Sequence, residues 1–358
     1  MRGRLRKNWL LLLAGALALL CLFSVWRIHA VSNLLLSQQA AQRWQGQSGK
    51  SFAQVSCFTS KGEEMDLDQV LSFRSAMAQK LKEASFDLEK EQGLYIDAWS
   101  VSCSVHVSSG RRSGEVQAVA VSGRFFDFHP VRLISGNYLS PNDLMEDRVL
   151  LDRETAWLLF GGSDLTGMGF DLNGVPVVVA GVYEHESDAF SKKASEGAMR
   201  IYMRYELYER LFPEKKGISC YEFVMADPVK GFARSAAEEK YPLKSAEILE
   251  NSARFEIPRL WKLLRSRMER TMRKTTAVYP DWENAARAAE DRAALWLGSA
   301  IACAVLPVVL LVVYIVRYAR IGKRKLEEDL LPEAKDRVEE AVRVRARRRW
   351  EKQHPDMK

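Results

Sequence analysis

The sequence predicts an α+β domain held outside a membrane between two transmembrane helices. Three observations carry that reading. Two long uncharged apolar runs lie toward the ends of the chain, and each abuts a basic cluster on its outer side. Between them, stretches of alternating apolar residues recur with short turns, as strands in hairpins do. Amphipathic helical segments are interleaved with those strands, and each needs a sheet on which to bury its apolar face.

The two runs set the domain plan. Residues 1–8 form a short basic N-terminus with Arg2, Arg4, Arg6 and Lys7, and residues 9–27 form a first span. Its length suits a membrane crossing. An uncleaved anchor is preferred to a signal peptide, because Arg27 follows the run directly and Ile28-His29-Ala30 makes a poor cleavage site. Residues 28–48 follow as a stalk helix, 49–254 as the core domain, and 255–292 as further stalk helices. Residues 293–316 are a second span, in which Pro307 is tolerated, and 317–358 are a basic, charged tail. Arg317, Arg320, Lys323, Arg324 and Lys325 flank this second span. By the positive-inside rule, both termini are expected in the cytoplasm of a two-pass cell-membrane protein, with the large domain extracytoplasmic. This placement also accounts for the net charge of +7 without nucleic acid.

Within the stalk, Val31, Leu34, Leu35 and Gln38 recur at helical spacing as far as Trp44. Phe52–Phe58 reads as a strand, and Met65–Ala84 as an amphipathic helix presenting Leu67, Val70, Leu71 and Met77. Leu94–Val107 alternates through Tyr95, Trp99, Val101, Cys103 and Val105. A polar turn over 108–114 returns it as Val116–Val121. Residues 124–184 then give Phe125, Phe126 and Phe128 closing on Pro130, a Ser-Pro-Asn-Asp turn, and an apolar strand at 148–152. Asp152 stands where a helix N-cap belongs, and Gly161-Gly162 ends that helix. Asn173-Gly174 joins two further strands, since this pair tolerates positive φ. Residues 186–198 read as a loop. Strands at 199–203 and 219–226 alternate with helices at 204–211 and 229–240. A basic helix spans 255–276, and Pro280-Asp281 breaks it before a long helix runs from Trp282 into the second span. A charged helix follows Pro332.

The order of these pieces resembles the MacB-type periplasmic core domain of ABC export permeases, in the MacB/FtsX-like family. The match lies in Phe125-Phe126 with Gly136-Asn137-Tyr138-Leu139, in Val149-Leu150-Leu151-Asp152 with Leu159-Phe160-Gly161-Gly162, in Gly167-Met168-Gly169, and in Asn173 to Val182. The resemblance implies a permease-like subunit of an ABC-type export or mechanotransmission system. Its implied partners are a separate ABC ATPase and a multi-span permease or further copies of itself, because family permeases carry two more spans than are seen here. The alternative is a membrane-anchored binding or scaffold module without transport activity. The stalk either transmits motion through a coupling hinge at Pro280 and Asp281, or is a static anchor. The tail either rests on anionic membrane lipid or docks a cytoplasmic partner.

No catalytic chemistry is legible. There is no Gly-x-x-x-x-Gly-Lys-Ser/Thr loop, no His-Glu-x-x-His and no Gly-x-Ser-x-Gly. The histidines are scattered, and His185 with Glu186 and Asp188 reads as a solvated cluster rather than a ligand set. Gly161-Gly162 and Gly167-Met168-Gly169 lie between a helix and a strand, the wrong order for a phosphate loop. Neither an enzyme nor a metal or cofactor site is therefore expected. Cys57, Cys103 and Cys220 fall outside the spans. Either Cys57 and Cys103, both in strand-like sequence, form a disulfide, or all three are free thiols.

Overall fold

The computed structural model describes residues 2–46, 49–88, 90–215, 217–272, 279–325 and 331–353. The chain divides into two compact units, residues 26–297 and residues 1–25 with 298–358.

The larger unit is built on one ten-stranded mixed sheet. The strands are β1 (Phe52–Phe58), β2 (Tyr95–Ser109), β3 (Arg112–Gly123), β4 (Arg132–Gly136), β5 (Arg148–Asp152), β6 (Gly169–Leu172), β7 (Val175–Glu184), β8 (Arg200–Arg204), β9 (Cys220–Ala226) and β10 (Glu247–Glu250). Their spatial order is β10-β1-β9-β2-β3-β8-β5-β7-β4, with β6 bridging β2 and β7. Strands β3 and β8 pair in parallel near the middle of this order.

Alternation divides the strand residues between two faces, as a period of two requires. On one face Val55, Cys57, Trp99, Val101, Tyr221 and Phe223 join a large apolar core. This face is covered by α3 (Leu67–Glu83), α5 (Arg153–Leu159), α7 (Tyr205–Leu211) and α8 (Phe232–Lys240). On the other face Phe58, Ala98, Val119, Leu150 and Val224 form a second core with α2 (Ala40–Gln45), α4 (Phe125–Phe128) and Trp282.

Local chemistry sets the ends of these elements. Asp66 caps α3 reciprocally: its Oδ1 accepts from Gln69 N at 2.7 Å, and Gln69 Oε1 accepts from Asp66 N at 3.0 Å. Asp152 caps α5 by accepting from Thr155 N at 2.8 Å. Asn173 and Gly174 adopt φ of 49° and 80°, as the hairpin reading requires. Gly136 has φ 75°, and a Cβ there would stand 2.2 Å from the Ala180 carbonyl oxygen, so no side chain fits where β4 crosses β7.

Several elements differ from the sequence reading. Helix α1 (Arg2–Ser32) does not continue to Trp44; a 3₁₀ turn at Leu36–Gln38 and then α2 replace it. The buried Gln54 side chain explains the break. Its Oε1 accepts from Ala40 N at 2.9 Å and its Nε2 donates to Ser37 O at 2.7 Å, satisfying backbone groups that an unbroken helix would pair internally. The stretch 186–198 holds a short helix, α6 (Ala189–Ser195), capped by Asp188, which accepts from Phe190 N and Ser191 N at 2.9 Å. No α6 residue is buried, so no apolar period announced it. The turn between β2 and β3 shrinks to Gly110-Arg111, since Ser109 already pairs with Arg112.

Helix α9 (Ile257–Met272) follows β10, and residues 273–276 of the expected basic helix lie outside the described residues. Helix α10 (Asp281–Lys325) is a single helix of 45 residues that includes Pro307. Both α1 and α10 contain segments long and apolar enough to cross a membrane, Trp9–Ser32 and Asp281–Arg324. In the smaller unit, Ser24 Oγ donates to Leu20 O at 2.8 Å and meets Ser299 Oγ at 3.3 Å, while Ala14, Ala300 and Cys303 are buried. Helix α11 (Leu331–Gln353) carries exposed Arg343, Arg345, Arg347, Arg348 and Arg349.

Candidate functional site

The densest set of buried charge lies where α10 begins. Arg254, in the turn after β10, is fully buried, and its Nη2 donates to both carboxylate oxygens of Glu283 at 2.9 and 2.7 Å. Glu290, two helical turns further along, stands 3.6 Å from Arg254 Nε and 3.1 Å from Arg259 Nη2. Arg287 closes the set, reaching Glu283 at 2.7 Å and Glu247 of β10 at 2.8 Å. The guanidinium of Arg287 also lies 3.9 Å from the centre of the Tyr279 ring. Three arginines thus face three glutamates, so the group is neutral as a whole.

Electrostatics within this group are uneven. Burial raises the Glu283 carboxyl above its ordinary range, although Arg254 and Arg287 pull the other way. Burial would lower Arg287, but Glu283 and Glu247 outweigh it and hold the guanidinium above its usual value.

A second set of contacts joins the first turn of α10 to the sheet. Asp281 accepts a hydrogen bond from the Arg200 guanidinium at the start of β8. Trp282 packs edge-on to Phe125 at 5.6 Å and against the His129 ring at 4.4 Å. His129 is itself bonded to Glu222 in β9, whose other oxygen accepts from Ser56 Oγ at 2.7 Å. Beyond these contacts, Ala285, Ala286, Ala289 and Ala293 pack with Val31, Leu35 and Leu260 in a third apolar cluster. The start of α10 is therefore fixed to β8, β9, β10, α4 and the end of α1.

A cleft of about 400 Å³ opens beside this root, bordered by Leu35, Val131, His185, Arg200, Asp281 and Trp282.

The structure places the sequence-selected residues as follows. Pro280 caps α10, its carbonyl accepting from Glu283 N at 3.0 Å, and Asp281 is tied to Arg200. The Cys57–Cys103 disulfide is not formed, and all five cysteines are free. Strand β9 lies between β1, which carries Cys57, and β2, which carries Cys103. Two strand spacings of about 4.8 Å exceed the reach of a disulfide. His185, Glu186 and Asp188 do not form one cluster. Asp188 caps α6, while the His185 ring turns toward Asp152. Arg254, Glu283, Glu290 and Arg200 were not singled out from the sequence. A signal existed for two of them: Glu283, Ala286, Glu290, Ala293 and Leu297 recur at heptad spacing, so two acids occupy a buried apolar stripe.

Residues 32–240 match the model of the MacB-like periplasmic core domain. The chain belongs to the MacB-like periplasmic core domain family. Among solved structures, this MacB-like chain resembles the periplasmic region of MacB from Actinobacillus actinomycetemcomitans at 16% identity and a TM-score of 0.40, over 56% of this chain and 89% of that one. It also resembles the extracellular domain of the noncanonic ABC-type transporter YknZ from Gram-positive bacteria, at 13% identity and a TM-score of 0.39, over 55% and 99% of the two chains. Comparison with curated proteins gives no match. The MacB-like core is thus an α+β domain in a chain that carries two candidate membrane helices.

Proposed function

We propose that this chain is a permease-like membrane subunit of an ABC-type export or mechanotransmission assembly, with a separate ATPase driving its helices. In this reading the core domain is extracytoplasmic, both termini are cytoplasmic, and the membrane is the cell membrane. The outward basic flanks of both apolar segments support that orientation. Helix α10 carries motion between the two sides, and the residues at Pro280-Asp281 form the coupling point. A multi-span permease or further copies of this chain complete the membrane domain.

One observation carries the reading: the helix containing the second apolar segment is the same helix whose first turns are locked to the core by the buried Arg254–Glu283 pair and by Trp282. A mere tether needs no such root. Helices transmit displacement when they are continuous and when their end contacts have discrete, tightly packed arrangements. The chain contributes mechanics rather than bond-making chemistry.

Purification of the tagged chain in mild detergent, with mass spectrometry of what accompanies it, tests this proposal. Recovery of an ABC ATPase with a multi-span permease, or of a self-associated chain with the ATPase, supports it. Recovery of the chain alone, or only with other envelope proteins, favours an anchored binding or scaffold module.

A further inference from the structure

We propose that Asp152, Glu154 and His185 form a binding site for a divalent transition-metal ion of the zinc class. One oxygen or nitrogen from each residue lies within 4.8 Å of the other two, the one such trio among the described residues. The residues come from two different elements: Asp152 and Glu154 from the β5–α5 junction, and His185 from the end of β7. One imidazole nitrogen with two carboxylate oxygens is a donor set that suits zinc, and also cobalt or manganese.

The distances lie close to those of a ligand set. His185 Nε2 is 2.8 Å from Asp152 Oδ2 and 3.8 Å from Glu154 Oε2. Donor atoms around a tetrahedral ion with bonds of about 2.0–2.1 Å stand about 3.3 Å apart. The two His185 distances therefore lie about half an ångström either side of that spacing, and the Asp152–Glu154 separation, within 4.8 Å, closes through movement of Glu154. The Glu154 side chain is 55% exposed and free to make its share of that movement.

The remaining partner is held in advance. Asp152 is fully buried, and its oxygens accept from Thr155 N and Arg200 N, each at 2.8 Å. Such outer bonds fix a ligating carboxylate and are a recurrent part of metal sites. His185 also lines the cleft beside the α10 root, from which water can complete the coordination. For the metal to bind, the His185 Nε2 proton passes to water, from an imidazolium directly or from a neutral ring with water returning a proton to Nδ1, so that neutral imidazole holds its proton on Nδ1 and offers the Nε2 lone pair. The two carboxylates balance the charge of the ion. Binding would clamp β5 to β7. Arg200 joins this site to the helix root, since its backbone N–H meets Asp152 and its guanidinium meets Asp281.

The test is calorimetric titration of Zn²⁺ into the full chain in detergent, purified without a histidine tag, with Co²⁺ absorption as a second readout. Wild type should take up one equivalent saturably. Glu154→Gln should weaken affinity by at least about tenfold, His185→Ala should abolish it, and Glu186→Gln should leave it unchanged. Thermal midpoints would show that each variant is folded; Glu154 is exposed, so its substitution spares the core. No saturable uptake by wild type overturns the proposal. So does binding that survives both Glu154→Gln and His185→Ala, which would leave the trio as a hydrogen-bonded His–Asp pair beside an unrelated acid.

Discussion

Arg254 and Glu283 form a bidentate pair in which the side chains are 0% and 1% exposed, and the two residues belong to different elements of the root. The pair is asymmetric. Removing Arg254 takes from Glu283 the guanidinium bonded to both its oxygens and from Glu290 a buried neighbour, leaving them only Arg287 and Arg259, whereas neutralising Glu283 leaves Arg254 with Glu290 and an amide that still accepts its hydrogen bond. Arg254→Met should therefore destabilise the domain by about 3–5 kcal/mol, and Glu283→Gln by much less. Denaturant midpoints of the two variants measure this; equal losses would refute the asymmetry.

The same asymmetry has a pH signature. Burial raises the folded-state pKa of Glu283 above its unfolded value. The folded state then holds the proton more tightly, so this residue contributes stability at low pH that is lost as pH rises through the folded pKa. The stability of wild type relative to Glu283→Gln should decline as pH increases above the ordinary glutamate range. A rising difference over that window would contradict the direction of the shift.

Trp282 fills the space between Phe125 and His129. Trp282→Ala should cost about 3–5 kcal/mol, as expected of a large aromatic removed from a packed interface. Trp282→Phe, which keeps most of the contact area, should cost a small fraction of that. Thermal melts of both variants decide the matter, and near-wild-type stability of the alanine variant would mean that the first turn of α10 is not a structural joint.

Much of the fold was legible because its signals are local. The Asn173-Gly174 hairpin, the Asp152 cap and the alternation of β2 each follow from a few adjacent residues. What escaped was what depends on distant partners. Gln54 ends the stalk helix from fourteen residues away at Ala40. Strand β10 is four residues with two glutamates, and it exists because β1 offers it an edge. The candidate site was the least legible part. Arg254 and Glu283 meet only after the chain has completed its sheet, and His185 finds Asp152 rather than its sequence neighbours.

Burial also governs the thiols. It pushes Cys103 up to about 12, with Lys215 opposing, and carries Cys57 and Cys220 well above the usual thiol value. At pH 8 Cys103 is then thiolate to only about one part in ten thousand. Alkylation of the native chain should be slow and should accelerate with pH, and non-reducing peptide mapping should return Cys57 and Cys103 as separate thiols. A cross-linked Cys57–Cys103 peptide would contradict this arrangement.

The central claim is that motion passes through the root of α10 into the core. In a complex with the proposed ATPase partner, amide exchange of α4 and β4, residues 125–136, should differ between ATP and ADP. Inserting a flexible Gly-Ser segment between Asp291 and Arg292, past the root contacts of Asp281 to Glu290 and before the second apolar segment, should abolish that difference while leaving the melting midpoint of the core close to wild type. An unchanged nucleotide response after insertion, or none in wild type, would show that α10 only anchors the domain.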